Sequence, residues 1–157
     1  MKKTILFLSA FFLFHSLTYA QAAKSVYVEL GGPGLASFNY DMRFTNREDG
    51  IGGRIGIGGF KIDNVTAVFI PASVTYLIGK NNRDYFELGA GATYVNVNDS
   101  YGNSNDDPFR RTFGHLIFGY RLQPAKEGFL FRASIVPIFG KGFFVPYYAG
   151  VAFGYKF

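Results

Sequence analysis

The chain closes on PYYAGVAFGYKF, residues Pro146 to Phe157, and the reading of this stretch decides the fold. Val151, Phe153, Tyr155 and Phe157 alternate with Ala152, Gly154 and Lys156, so an apolar or aromatic side chain recurs at every second position up to the last residue. A period of two is that of a β-strand, whose successive side chains point to opposite faces. The last residues of a soluble domain are ordinarily polar and frayed. A strand that ends on an aromatic needs an apolar surrounding along one face.

The same alternation runs back through the chain. In Tyr85 to Tyr94, Phe86, Leu88, Ala90 and Ala92 oppose Glu87, Gly89, Gly91 and Thr93; further on, Leu116, Phe118, Tyr120 and Leu122 oppose His115, Gly119 and Arg121. Strands are predicted near 25–31, 35–45, 50–60, 65–79, 84–97, 109–123, 128–139 and 143–157, separated by turn residues. The first two are divided only by Gly32-Pro33-Gly34, which fits a tight hairpin; one long bent strand over 25–45 is the alternative. Chain ends on the same side require an even number of strands, which favours eight.

The second face of these strands separates two architectures. A soluble sandwich would carry long polar side chains there, because that face meets water. Here it carries glycines and alanines (Gly52, Gly56, Gly58, Gly89, Gly91, Ala152) with isolated charges between them, which suits the cramped interior of a closed barrel. The expected fold is therefore all-β, an eight-stranded antiparallel up-and-down transmembrane β-barrel with its greasy face turned to lipid. Parity sends Glu29, Asp41, Arg43, Arg54, Glu87, His115, Arg121, Arg132 and Lys156 inward. Unpaired charges in a narrow interior cost several kcal/mol each, so these should form a polar network, with Glu29 and Glu87 neutralised by Arg54, Arg132 or both.

The other end of the chain gives the compartment. Met1-Lys2-Lys3, an apolar run over Ile5–Leu17 and Ala20 have the layout of a secretory signal peptide, expected over residues 1–20, with the barrel domain over 21–157. The run is shorter than the roughly 20 residues of a membrane-spanning helix. There is no cysteine, which excludes disulfides, thiol nucleophiles and Cys-ligated metal. The formal charge of +5 includes Lys2 and Lys3, and the remainder suggests no nucleic-acid partner. Short polar turns at 45–49, 80–83 and 124–127 alternate with the longest polar segment, DSYGNSNDDP at 99–108, which is expected on the outer side of the membrane.

The signal segment, strands such as YFELGAGATY and the terminal AFGYKF together resemble the small eight-stranded outer-membrane barrels of the OmpA/OmpX type, and especially the outer-membrane β-barrel proteins of Bacteroidetes-like bacteria. The resemblance implies a bacterial outer-membrane location, with outer-membrane lipid and lipopolysaccharide as surroundings. It also implies that Phe153, Tyr155 and Phe157 act as an assembly signal read by the barrel-assembly machinery. The expected role is structural or surface-interacting, in a barrel that the inward charges plug against conduction as the resemblance to OmpA-type barrels also implies, with the 99–108 loop as the place for an extracellular ligand.

Chemistry is sparse. GIGGRIGIGGF does not satisfy G-x-G-x-x-G in any register, and no metal-ligand spacing or cofactor motif occurs. His115 is the one residue with catalytic potential, yet Leu116, Ile117 and Phe118 follow it with no serine in the same strand, and it faces inward with Arg121. A structural role is expected for it and no catalysis. The alternative functions are a lipid-modifying enzyme of the lipid A deacylase or acyltransferase kind, and a narrow channel for small molecules.

Overall fold

The structure, a computed structural model, describes residues 22–62, 65–81, 83–99 and 112–157. The expected signal segment and most of the 99–108 loop lie outside these residues. Ten strand segments follow one another: β1 (Lys24–Gly31), β2 (Ala36–Arg43), β3 (Gly50–Ile62), β4 (Val65–Ile78), β5 (Asp84–Asp99), β6 (Thr112–Leu122), β7 (Gly128–Ile135), β8 (Ile138–Gly140), β9 (Phe143–Val145) and β10 (Ala149–Lys156). Every pairing is antiparallel between neighbours, and the sheet shuts on itself through β5–β6 and β1–β10. Closure removes the unpaired strand edges that no bilayer could solvate.

The ten segments make eight wall strands. β7 and β8 lie along β6 in one uninterrupted register, Ile135 opposite Phe118 and Ile138 opposite His115, with Leu116 N–H donating to Pro137 C=O across the gap at 2.9 Å. β9 and β10 form the eighth strand, broken at Pro146. Here the register changes. Ala149 faces Ile135 but Val145 faces Ile138, so the eighth strand carries one extra residue relative to its partner, a β-bulge beside a proline that has no N–H to give the ladder. The expectation of single strands over 128–139 and 143–157 is corrected accordingly. The bulge also switches parity, so that Phe143 joins Tyr148 against the interior.

The two-strand reading of 25–45 holds. β1 and β2 pair with Val28 opposite Phe38, and a 3-10 turn over Gly32–Gly34 joins them. Gly31 and Gly32 have φ of 74° and 67°, a region that glycine enters without strain. All three residues of this turn are buried, because it bends into the barrel and does not project from its rim.

Alternation sorts the outer and inner faces as expected. Val28, Ile55, Val74, Phe86, Phe118, Phe153 and Tyr155 are exposed around the outside. Inside, the glycines of β3 make room: a Cβ on Gly52 would lie 2.3 Å from the guanidinium carbon of Arg43, and one on Gly56 would lie 2.2 Å from Oδ1 of Asn39. The interior is not uniformly small and polar, however. The half nearest the chain termini holds ionic side chains, whereas the opposite half holds an apolar cluster of Ala67, Phe69, Val95, Phe113, Val136 and Ile138.

Candidate functional site: the barrel interior

The ionic half is built from strands that are not neighbours in the sheet. Arg54 Nη2 on β3 donates to Glu29 Oε2 on β1 at 3.0 Å. Arg132 on β7 donates from Nε and Nη2 to both oxygens of Glu87 on β5, at 2.8 and 2.7 Å, a fork-on-carboxylate arrangement. Its third nitrogen lies 3.9 Å from Glu29, and its guanidinium carbon sits 4.7 Å above the ring centroid of Tyr27. Asp41 on β2 accepts from Arg121 on β6 at 3.0 Å and from Arg43 on its own strand at 2.9 Å. Arg43 reaches on to Thr75 Oγ1 at 2.7 Å, and Arg121 to Ser25 Oγ at 3.1 Å. Towards the termini, Lys156 donates to Glu48 at 2.6 Å and to the carbonyls of Pro124 and Ala125.

Eight charged residues that parity sends inward are therefore inside, each no more than 4% exposed. Glu29 and Glu87 are brought to Arg54 and Arg132. Four guanidinium groups, those of Arg43, Arg54, Arg121 and Arg132, meet three carboxylates, those of Glu29, Asp41 and Glu87, which leaves this layer with an excess of positive charge. A net positive layer disfavours cations.

His115 lies above this layer and is fully buried. Thr93 Oγ1 donates to Pro33 C=O at 3.1 Å, so its single proton is committed and it receives Nδ1–H of His115 at 3.3 Å. Nε2 is then left to accept from the hydroxyl of Ser73 at 2.7 Å. The sequence reading missed Ser73 and Thr93 because they come from β4 and β5. The signal was the sheet register: Ser73, Gly91 and His115 lie in one row across β4, β5 and β6. Gly91 is what lets the outer two meet, since a Cβ there would be 2.7 Å from Nε2. Ser73 and His115 have the nucleophile–base arrangement, but among the described residues no carboxylate contacts the imidazole, and both side chains are buried, at 7% and 0% exposure.

Beyond Pro33 the apolar half encloses a cavity of about 310 Å³, lined by residues that include Leu35, Phe60, Phe69, Val95, Phe113 and Tyr148. At the other end, Phe153, Tyr155 and Phe157 project outward, with the Phe153 ring packed 5.3 Å from that of Phe131. Phe157 N–H donates to Lys24 C=O at 3.0 Å, so the last residue is tied to the first strand. Among the described residues no group of three or more His, Cys, Asp or Glu side chains could hold a metal ion.

Neither a family model nor a curated protein matches the sequence. The architecture is that of an eight-stranded barrel of the outer-membrane type. Two solved structures share it. The N-terminal β-barrel domain of Pseudomonas aeruginosa OprF aligns with a TM-score of 0.58 at 14% identity, over 87% of this chain and 96% of that one. The Yersinia pestis outer membrane protein Ail, determined in a phospholipid bilayer nanodisc, aligns with a TM-score of 0.55 at 15% identity, over 87% of this chain and all of Ail. At such identities the likeness is one of fold.

Proposed function

We propose that the chain is an integral outer-membrane barrel that does not conduct and serves a structural or surface-interaction role. The observation that carries this is the buried layer of guanidinium–carboxylate pairs, which links strands across the lumen with every member nearly or fully buried. In this reading the termini and the short turns face the periplasm, the 99–108 segment faces outward, and residues 1–20 are removed on export. Phe153, Tyr155 and Phe157 direct assembly, and the kinship is with the barrels of Bacteroidetes-like bacteria. The test is planar-bilayer recording on purified protein. The expected result is no stable conductance steps; a persistent ohmic channel with the intact sequence would refute the sealed plug.

The contact between Ser73 and His115 favours a second reading, a lipid-modifying enzyme. It is the weaker one, since neither residue lines the apolar cavity and neither reaches the outer surface. Mass spectrometry of lipid A from cells with and without the gene, and with Ser73→Ala, separates the two. An altered acylation pattern that disappears in the variant would establish the enzyme.

A further inference from the structure

We propose that the apolar cavity at the end opposite the chain termini is a binding site for one uncharged hydrocarbon chain, which enters sideways through a notch in the barrel wall.

The notch follows from strand lengths. The β1–β2 hairpin stops at Gly31 and Ala36, but the wall rises higher on both sides. On one side β3 continues from Gly59 to Ile62 past Gly58, the last residue it pairs with β2. On the other, the β8–β9 hairpin rises beyond β10, and among the described residues β9 is paired with β8 alone. Among the described residues the short hairpin leaves the space between them open, because its Gly32–Gly34 turn bends inward to become the cavity floor. Phe60 marks the opening. It has the inward parity of Arg54 and Gly58 and packs at 6.0 Å on Phe69, yet it is 39% exposed. The outer surface beside the notch is apolar as well, with Leu30, Phe38 and Ile57 all exposed, so a hydrocarbon chain approaching the notch meets apolar surface.

The lining fixes the chemistry of the occupant. Among the described residues no charged side chain contributes to it, and Tyr148 supplies the one side-chain hydroxyl. Below, the floor is a barrier: Thr93 holds the Pro33 carbonyl, and the place where a Cβ of Gly32 would be lies within 3 Å of the Glu29 carboxylate. An apolar guest therefore stops at the turn and cannot run on into the ionic layer, while a charged guest would meet no partner above it. A volume of about 310 Å³ falls at the small end of ligand sites, enough for a hydrocarbon segment and not for a whole lipid. An apolar void left beside the packed cluster would be a packing defect, whereas a chain resting in it restores the lost contacts.

The test uses methyl-labelled full-length protein in phospholipid nanodiscs, with Ile117, buried deeper in the barrel, as the internal reference. In one arm the disc lipids carry a spin label near the end of an acyl chain; in the other, perdeuterated 1-dodecanol is titrated in. Broadening of Val95 and Ile138 methyls at least twofold above Ile117 in the first arm identifies a bilayer chain as the guest. Saturable shifts of the same methyls in the second arm alone identify a free amphiphile. Ala67→Phe, which fills the cavity, should abolish either effect, with Val97→Phe as the substitute if heat-modifiable folding is lost. The inference is overturned if Val95 and Ile138 respond no more than Ile117 in both arms, or if a folded cavity-filled variant responds like the parent. A conducting barrel would refute the proposed plug and leave this result untouched.

Discussion

Breaking the fork between Glu87 and Arg132 should expose how much the interior network contributes. The two residues meet through two bonds of 2.8 and 2.7 Å, each side chain 1% exposed. Removing one partner of such a pair strands the other charge, at about 3 to 5 kcal/mol, whereas replacing both with apolar residues of similar volume costs far less. The two single changes should differ. Glu87→Gln leaves Arg132 with Glu29 at 3.9 Å and with the Tyr27 ring, so its loss should fall near 3 kcal/mol. Arg132→Met leaves Glu87 without its hydrogen-bonded guanidinium and removes a cation–π contact worth up to about 2 kcal/mol when desolvated, so it should fall near 5 kcal/mol. Glu87→Leu combined with Arg132→Met should recover most of the deficit. Urea unfolding in lipid vesicles, followed by circular dichroism and heat-modifiable migration, reads all three. If each single change shifts stability by less than about 1 kcal/mol, as for exposed ion pairs, the residues face water and the sealed interior is refuted.

Three further outcomes are expected. Phe157→Ser, or deletion of Tyr155 to Phe157, should lower the amount of folded, heat-modifiable protein in the outer membrane without affecting signal removal; normal levels would count against an assembly role for the terminal aromatics. A protease site between Ser104 and Asn105 should be cut on intact cells and one after Lys126 only once the outer membrane is opened, and the reverse pattern would invert the orientation. Gly91→Val should cost about 1 to 3 kcal/mol by overpacking the row it shares with Ser73 and His115, where its Cβ would lie 2.2 Å from Ala72 C=O; an unchanged urea midpoint would mean that the row is looser than the structure has it.

Strand positions, their number and the sorting of faces were legible because lipid outside and a narrow lumen inside impose the same two-residue period on every strand. Glu29, Glu87, Arg54 and Arg132 could be placed inside by parity alone. Two things escaped. Parity counting fails across a bulge, and nothing in PIFGKGFFVPYY says on which side of Pro146 the extra residue sits; only the pairing of Ala149 with Ile135 and of Val145 with Ile138 does. The apolar half of the lumen escaped because Phe69, Phe113 and Ile138 in isolation look like ordinary strand hydrophobes. Their inward direction was readable from parity, but their gathering at one end depends on how the strands are staggered around the barrel.

That stagger has to be specified by something, and the ionic layer supplies it. A slip of one residue between strands would turn guanidiniums outward into lipid, which the bilayer forbids. A slip of two keeps every side chain on its proper face, and hydrocarbon outside scarcely distinguishes one apolar register from another. What a two-residue slip destroys is the set of pairings across the lumen. Glu29–Arg54 ties β1 to β3, Asp41–Arg121 ties β2 to β6, and Glu87–Arg132 ties β5 to β7, so six of the eight wall strands are bound at a fixed height to one that is not their neighbour. Shifting any of them by two positions, about 6.6 Å along a strand, breaks a buried fork outright and strands its charge. The interior charges thus act against misregister, where the outer face cannot, and for that purpose they must be buried, paired and distributed across the lumen as they are.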